Sequence, residues 1–182
     1  MKSALQTQYT EKIVPKLQEQ LGLKNIMEVP RVKKVVLNVG FGRHSKDKTH
    51  MESVVKTLEK ITGQKPVLNK AKKSISNFKI REGTEIGASV TLRGHAMYNF
   101  LYKLIHLTLP RVRDFRGLNP KSFDTQGNYT LGFKENLAFP EMGVDSGELI
   151  HGIELTIATS AETAEQGLAL LTELGFPFKT NK

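Results

Sequence analysis

Four stretches of this chain alternate apolar and polar residues with a period of two, a pattern that calls for a sheet with one covered face. In the first, Lys33, Val35, Leu37 and Val39 share one parity, and Lys34, Val36, Asn38 and Gly40 the other. In the second, Ile86, Ala88, Val90 and Leu92 face a core while Gly87, Ser89, Thr91 and Arg93 face away. Tyr129, Leu131 and Phe133 alternate with Thr130, Gly132 and Lys134, and Ile153, Leu155 and Ile157 complete the set. A further short strand is expected from Pro66 to Ala71.

Helical signals separate these runs. Residues 3–21 carry a loose apolar stripe of Leu5, Ile13, Val14, Leu17 and Leu21, with a kink expected at Pro15 and a stop at Gly22. After a loop over 41–47, Asp47 or a neighbour is placed to cap a second helix, buried through Val54, Val55, Leu58 and Ile61 and ended by Gly63. A third, strongly apolar helix is expected over His95 to Leu109, stopped by Pro110, and a fourth over Ala161 to Leu174 with Leu168, Leu171 and Leu174 inward. The order α, β, α, β, β, α, β, β, α predicts an α+β fold. It has a mainly antiparallel sheet with helices on one face, a split βαβ (ferredoxin-like or RRM-like) sandwich with an N-terminal helical extension. At 182 residues a single domain, 1–182, is expected.

Charge is distributed unevenly. The formal net charge is +9, yet residues 135–182 hold eight acids against two lysines, leaving +15 on residues 1–134. No Lys or Arg occurs from Glu135 to Phe178, so the acidic part is taken as 135–178. Such polarity suits two partners of opposite sign; ordinary solubilising charge is the alternative. Between Lys65 and Arg81 there are six cations and no acid, and the segment about 72–82 is read as a protruding basic loop. An open polar sheet face bearing Lys34, Asn38, Ser89, Thr91 and Arg93 suits RNA, whose phosphates need cations and whose sugars and base edges need short hydrogen-bonding side chains.

Catalytic patterns do not complete. Gly40-Phe41-Gly42-Arg43-His44-Ser45 approaches a dinucleotide fingerprint, but Ser45 replaces the third glycine and no acid ends the next strand. A turn whose amides and Arg43 meet an RNA phosphate fits better. The Walker pattern is absent, and His44, His50, His95, His106 and His151 form no zinc-binding spacing in a chain without cysteine. His106, inside an apolar helix, is expected as a core or boundary residue. No enzyme activity, cofactor or metal is expected. The N-terminal residues lack a signal peptide's apolar stretch, no run would span a bilayer, and a cytoplasmic setting is expected.

Several stretches, in order, carry a resemblance. They are Arg31-Val32-Lys33-Lys34-Val35-Val36-Leu37-Asn38-Val39-Gly40, Thr62-Gly63-Gln64-Lys65-Pro66, Lys72-Lys73-Ser74-Ile75-Ser76-Asn77-Phe78, Gly87-Ala88-Ser89-Val90-Thr91-Leu92-Arg93-Gly94, Arg111-Val112-Arg113-Asp114-Phe115-Arg116-Gly117 and Asn128-Tyr129-Thr130-Leu131-Gly132. Together they resemble the universal large-subunit ribosomal protein five family, bacterial type, over essentially the whole chain. The resemblance implies a non-enzymatic ribosomal protein that binds 5S rRNA and large-subunit rRNA in the central protuberance. It also implies a loop that touches peptidyl-site tRNA and a bridge to small-subunit ribosomal protein thirteen.

Carried onto this sequence, the expected 5S rRNA contacts are Asn38, Gly40, Gln64, Lys65, Thr91 and Arg93, with Lys34 and Arg43 added from strand parity and the turn. The expected tRNA loop is Lys72, Lys73, Ser74, Ile75, Ser76, Asn77 and Phe78. The bridge is assigned to Glu135, Glu141, Asp145 and Glu148 on charge complementarity and approximate position. The competing readings are an RNA chaperone or translational regulator, a DNA-associated architectural protein, and an enzyme using the glycine turn.

Overall fold

The structure is a computed structural model that describes residues 3–44, 47–142 and 149–179. Helix α1 comprises Ala4–Gln8, a π turn over Tyr9–Ile13, and Val14–Leu21. Strand β1 (Val32–Gly40) leads to α2 (Lys48–Thr62), then β2 (Val67–Lys70) and β3 (Glu85–Leu92). Helix α3 joins Gly94–Lys103, a π turn over Leu104–Thr108, and Leu109–Arg111. Strands β4 (Tyr129–Phe133) and β5 (Ile153–Thr159) precede α4 (Ala164–Glu173). The expected α+β order is observed. The five strands form one sheet in the order β2-β3-β1-β5-β4, with β3 between the two strands joined through α2, which is the split βαβ arrangement.

Both expected proline effects take the same form. Pro15 and Pro110 each follow a π turn by two residues. A proline ring collides with the carbonyl four residues back and offers it no N–H; the wider π turn moves that carbonyl aside. The helix therefore continues through Pro110 to Arg111, which corrects the expected stop there.

The chain divides into two compact units. The first contains Met1–Val35, Leu92–Leu131 and Thr156–Lys182. Here α1 packs on α3 and, through its last two turns, on α4. Leu5, Ile13, Leu17, Leu101, Leu104, Leu170 and Leu171 are buried. The Tyr9 hydroxyl donates to the Pro30 carbonyl at 2.9 Å, and Lys16 pairs with Glu173 at 2.7 Å. Thr163 caps α4 by accepting from the Gln166 N–H, and the inward stripe is Gly167, Leu170, Leu171 and Leu174, while Leu168 is only half-buried. This shift from the expected stripe follows from Gly167, whose lack of a side chain lets α4 lie against the backbone of Gly127.

The second unit contains Val36–Thr91 and Gly132–Leu155. Asp47 caps α2, accepting from the N–H groups of Thr49 and His50. The buried stripe of α2 is Val54, Thr57, Leu58 and Ile61. Thr57 takes the place expected of Val55 because its hydroxyl donates back to the Ser53 carbonyl at 3.0 Å and so carries no unsatisfied group inward. Strands β2 and β3 are antiparallel, with Val67 opposite Ser89 and Asn69 opposite Gly87.

Candidate nucleic-acid interface

The alternation of β1 decides what its outer side presents. Leu37 and Val39 are buried, so Val36, Asn38 and Gly40 face outward. On the adjacent strand Ala88 and Val90 are buried, which turns Ser89 and Thr91 the same way. Asn69 joins them from β2: its Nδ2 donates to the Ser89 hydroxyl at 3.2 Å. From β5, flanked by buried Ile153 and Leu155, comes exposed Glu154. Asn38 Nδ2 donates to its Oε2 at 3.3 Å. Among the described residues of the second unit, this face is thus made of amides, hydroxyls, the aliphatic side chains of Val36 and Val67 and one carboxylate, with no aromatic ring upon it. A Cβ at Gly87 would stand 3.1 Å from the Val39 carbonyl oxygen, so glycine there keeps β3 close against β1.

The expected contact residues distribute as follows. Asn38 is half-buried, and Gly40 and Thr91 are exposed on the face just described. Gln64 and Lys65 are exposed in the connection after Gly63, whose backbone is left-handed (φ 68°). The Gln64 N–H donates to the Thr62 hydroxyl at 3.2 Å. Arg43 is exposed in a 3-10 turn, Gly42–His44, where the Phe41 N–H donates to Ile86 and the His44 N–H to Phe41. That turn borders a cleft of about 380 Å³ lined also by His50, Ile150 and His151, with the His44 and His50 rings stacked at 4.6 Å. Lys34 and Arg93 belong to the first unit, half-buried and exposed respectively.

The basic loop is a small hairpin. Ile75 and Ile80 exchange backbone hydrogen bonds at 2.9 and 3.2 Å, and Ser76–Phe78 form a 3-10 turn closed by Lys79 at φ 54°. Lys72, Lys73, Ser74, Ile75, Ser76, Asn77 and Phe78 are all exposed, Phe78 at 71%. Of the expected bridge residues, Glu135 is exposed and Glu141 half-buried, while Asp145 and Glu148 lie outside the described residues.

Two residues stand apart from the sequence expectations. Glu154 belongs by charge to the acidic segment, yet its parity against Ile153 and Leu155 sets it on the outer face, and that parity is the signal that could have found it. His106, expected in the core or at its boundary, is exposed, its ring 4.5 Å from that of Tyr102. The π turn shifts the helical phase there, and Leu104, Ile105 and Thr108 take the buried positions instead.

A family model described as ribosomal protein L5 matches residues 25–81, and a second, described as the ribosomal L5P family C-terminus, matches residues 85–178. The chain belongs to the ribosomal protein L5 family. Full-length likeness agrees. The large ribosomal subunit protein uL5 of Halothermothrix orenii is 56% identical over 97% of this chain and 98% of its own length. Those of Kocuria rhizophila and of a Picosynechococcus strain are 53% and 52% identical over 96% and 98% of this chain and 93% and 99% of their own lengths. The L5 family is structural and non-enzymatic, so the glycine turn at 40–42 is not a catalytic site. Among the described residues no helix is long and apolar enough to cross a membrane.

Proposed function

We propose that this protein fastens 5S rRNA, together with a helix of the large rRNA, into the central protuberance of the large ribosomal subunit. As an L5-family member it is a structural constituent of that subunit, with ribosomal RNA as its partner and the ribosome as its place of action. The observation that carries the 5S reading is the outer sheet face of Asn38, Gly40 and Thr91, which is accompanied by exposed cations and, among the described residues, bears no aromatic ring. Without rings for base stacking, affinity comes from phosphate and sugar contacts to a folded RNA, and specificity from a few polar side chains. Lys65, Arg43, Lys34 and Arg93 meet phosphates; Asn38, Gln64 and Thr91 meet sugars and base edges.

The hairpin at 72–78 reaches peptidyl-site tRNA in this reading. Its exposed Phe78 and Ile75, beside Lys72 and Lys73, offer an apolar and cationic tip to the backbone of an RNA elbow. Glu135 and Glu141, with Asp145 and Glu148, offer the acidic counterpart for the basic small-subunit protein thirteen in the head.

The test is a pull-down with the full-length protein from ribosome-depleted lysate, followed by sizing of the bound RNA. Recovery of 5S rRNA above RNAs of other lengths is the expected result. Purified, folded protein that held random RNA of equal length as tightly as 5S rRNA at moderate ionic strength would overturn the reading.

A further inference from the structure

Glu154 sits where a phosphate-binding surface should not carry an acid. It is exposed in β5, shares the outer face with Asn38, and lies within a unit whose proposed partner is a polyanion. Among the described residues no Lys or Arg pairs with it; the Asn38 amide holds it at 3.3 Å. Its burial and its neighbours offer no packing reason for a carboxylate, since Ile153 and Leu155 carry the core contacts of that strand.

A carboxylate is an acceptor only, with about four lone-pair directions on two oxygens. A phosphate above it would meet like charge and no donor. The RNA group that docks there must therefore donate, and RNA supplies donors on its bases and at its 2′-hydroxyl. A base edge with two adjacent donors matches the two oxygens of one carboxylate. In RNA that edge belongs to guanine, whose N1–H and N2–H₂ are free when it is unpaired. The Asn38 amide occupies one direction on Oε2 and leaves the others open. It also fixes the side chain on a rigid strand, which is what a base-reading group requires.

We infer that Glu154, positioned by Asn38, is a specificity-determining residue that reads the Watson–Crick edge of an unpaired guanine in the bound RNA. The inference rests on the reading of this face as the 5S rRNA interface. It divides labour across that face: the cations supply affinity for any RNA, and Glu154 subtracts from that general affinity while adding to affinity for one RNA. Removing its charge then moves the two affinities in opposite directions.

The experiment measures binding of wild-type protein and Glu154→Gln to 5S rRNA and to random RNA of equal length, with thermal melting as the folding control. Glu154→Gln keeps the shape and the Asn38 contact but replaces one acceptor oxygen by a donor. The expected result is a loss of about tenfold or more on 5S rRNA, the size of one bidentate base contact, with equal or tighter binding of random RNA. Single guanine-to-inosine substitutions at unpaired positions of 5S rRNA, which delete only the N2 amino group, then locate the base. At one of them wild-type binding weakens while Glu154→Gln binding does not weaken further. Tighter or unchanged binding of both RNAs by Glu154→Gln would overturn the inference, as would the absence of any coupled guanine. Wild-type protein that fails to prefer 5S rRNA at all would instead overturn the interface reading on which it rests.

Discussion

Gly167 of α4 lies directly on the backbone of Gly127, close enough that a Cβ at 167 would overlap the Gly127 carbonyl oxygen. The turn carrying Gly127 is itself tied down. Its left-handed backbone (φ 73°) has Ala161 and the Thr163 carbonyl where a side chain would go, and its carbonyl accepts from the Thr159 hydroxyl at 2.9 Å. Two glycines far apart in the sequence thus set how near α4 approaches the start of β4.

Gly167→Ala is expected to destabilise the protein by about 1–3 kcal/mol, because the neighbour is backbone and has no rotamer to yield. Gly132→Ala, where nothing stands within 4 Å of the added carbon, is the matched control and is expected to be near neutral. Chemical denaturation of both variants checks the difference; equal effects would show that α4 shifts to make room.

Asp124 governs the same turn at low pH. Slight burial pushes its carboxyl up, but hydrogen bonds from the Asn128 side chain and the N–H groups of Asn128 and Gln126 outweigh it, and the group is held below the usual carboxylate range. A depressed folded pKa means stability that is present above the unfolded value and is lost as pH falls through the folded one. Asp124→Asn is therefore expected to be less stable than wild type at neutral pH and to converge with it below about pH 4. Melting temperatures measured across that range test it.

Tyr9 gives the alkaline counterpart. Burial, with Tyr98 adding to it and Arg31 opposing it, pushes its hydroxyl up to about 12. The neutral form is the one that donates to the Pro30 carbonyl. A raised folded pKa means stability that is complete below the unfolded value of 10.0 and is lost as pH climbs towards 12. Tyr9→Phe is expected to cost about 0.5–1.5 kcal/mol at neutral pH. Its denaturation midpoint is also expected to fall less steeply above pH 10.

Phosphate and base contacts separate by their salt dependence. Lys65→Ala or Arg93→Ala is expected to weaken 5S rRNA binding and to reduce the slope of log K against log salt by about 0.7–0.9 each. Asn38→Ala is expected to weaken binding with the slope nearly intact, since no cation is removed. Titrations at several salt concentrations check both, and unchanged slopes for Lys65 and Arg93 would take them out of the interface.

The hairpin tip is expected to matter for tRNA alone. Phe78→Ala removes a side chain that is 71% exposed, so folding stability is expected to stay within about 0.5 kcal/mol of wild type. Affinity for 5S rRNA is expected to be unchanged, and retention of peptidyl-site tRNA on reconstituted ribosomes to fall. Equal loss of both would place the hairpin in the main rRNA site.

Strand parity, the Asp47 cap, the Gly22 and Gly63 stops and the order of elements are legible in the chain because each depends on residues a few positions apart. Side-chain alternation and cap chemistry are local, and the covered face of the sheet follows from them directly. By the same locality, parity alone puts Asn38, Gly40 and Thr91 on the open side of their strands.

What lies far apart in sequence was decided by the tertiary structure. Asn38 meets Glu154 across 116 positions because β5 takes its place beside β1 in the sheet order, which no local pattern specifies. The inward stripe of α4 includes Leu170 rather than Leu168 because Gly167 packs on Gly127, and His106 turns outward because a π turn shifts the helical phase ahead of Pro110. Sequence periodicity states which way a side chain faces on its own element; only the packing of elements states what it meets there.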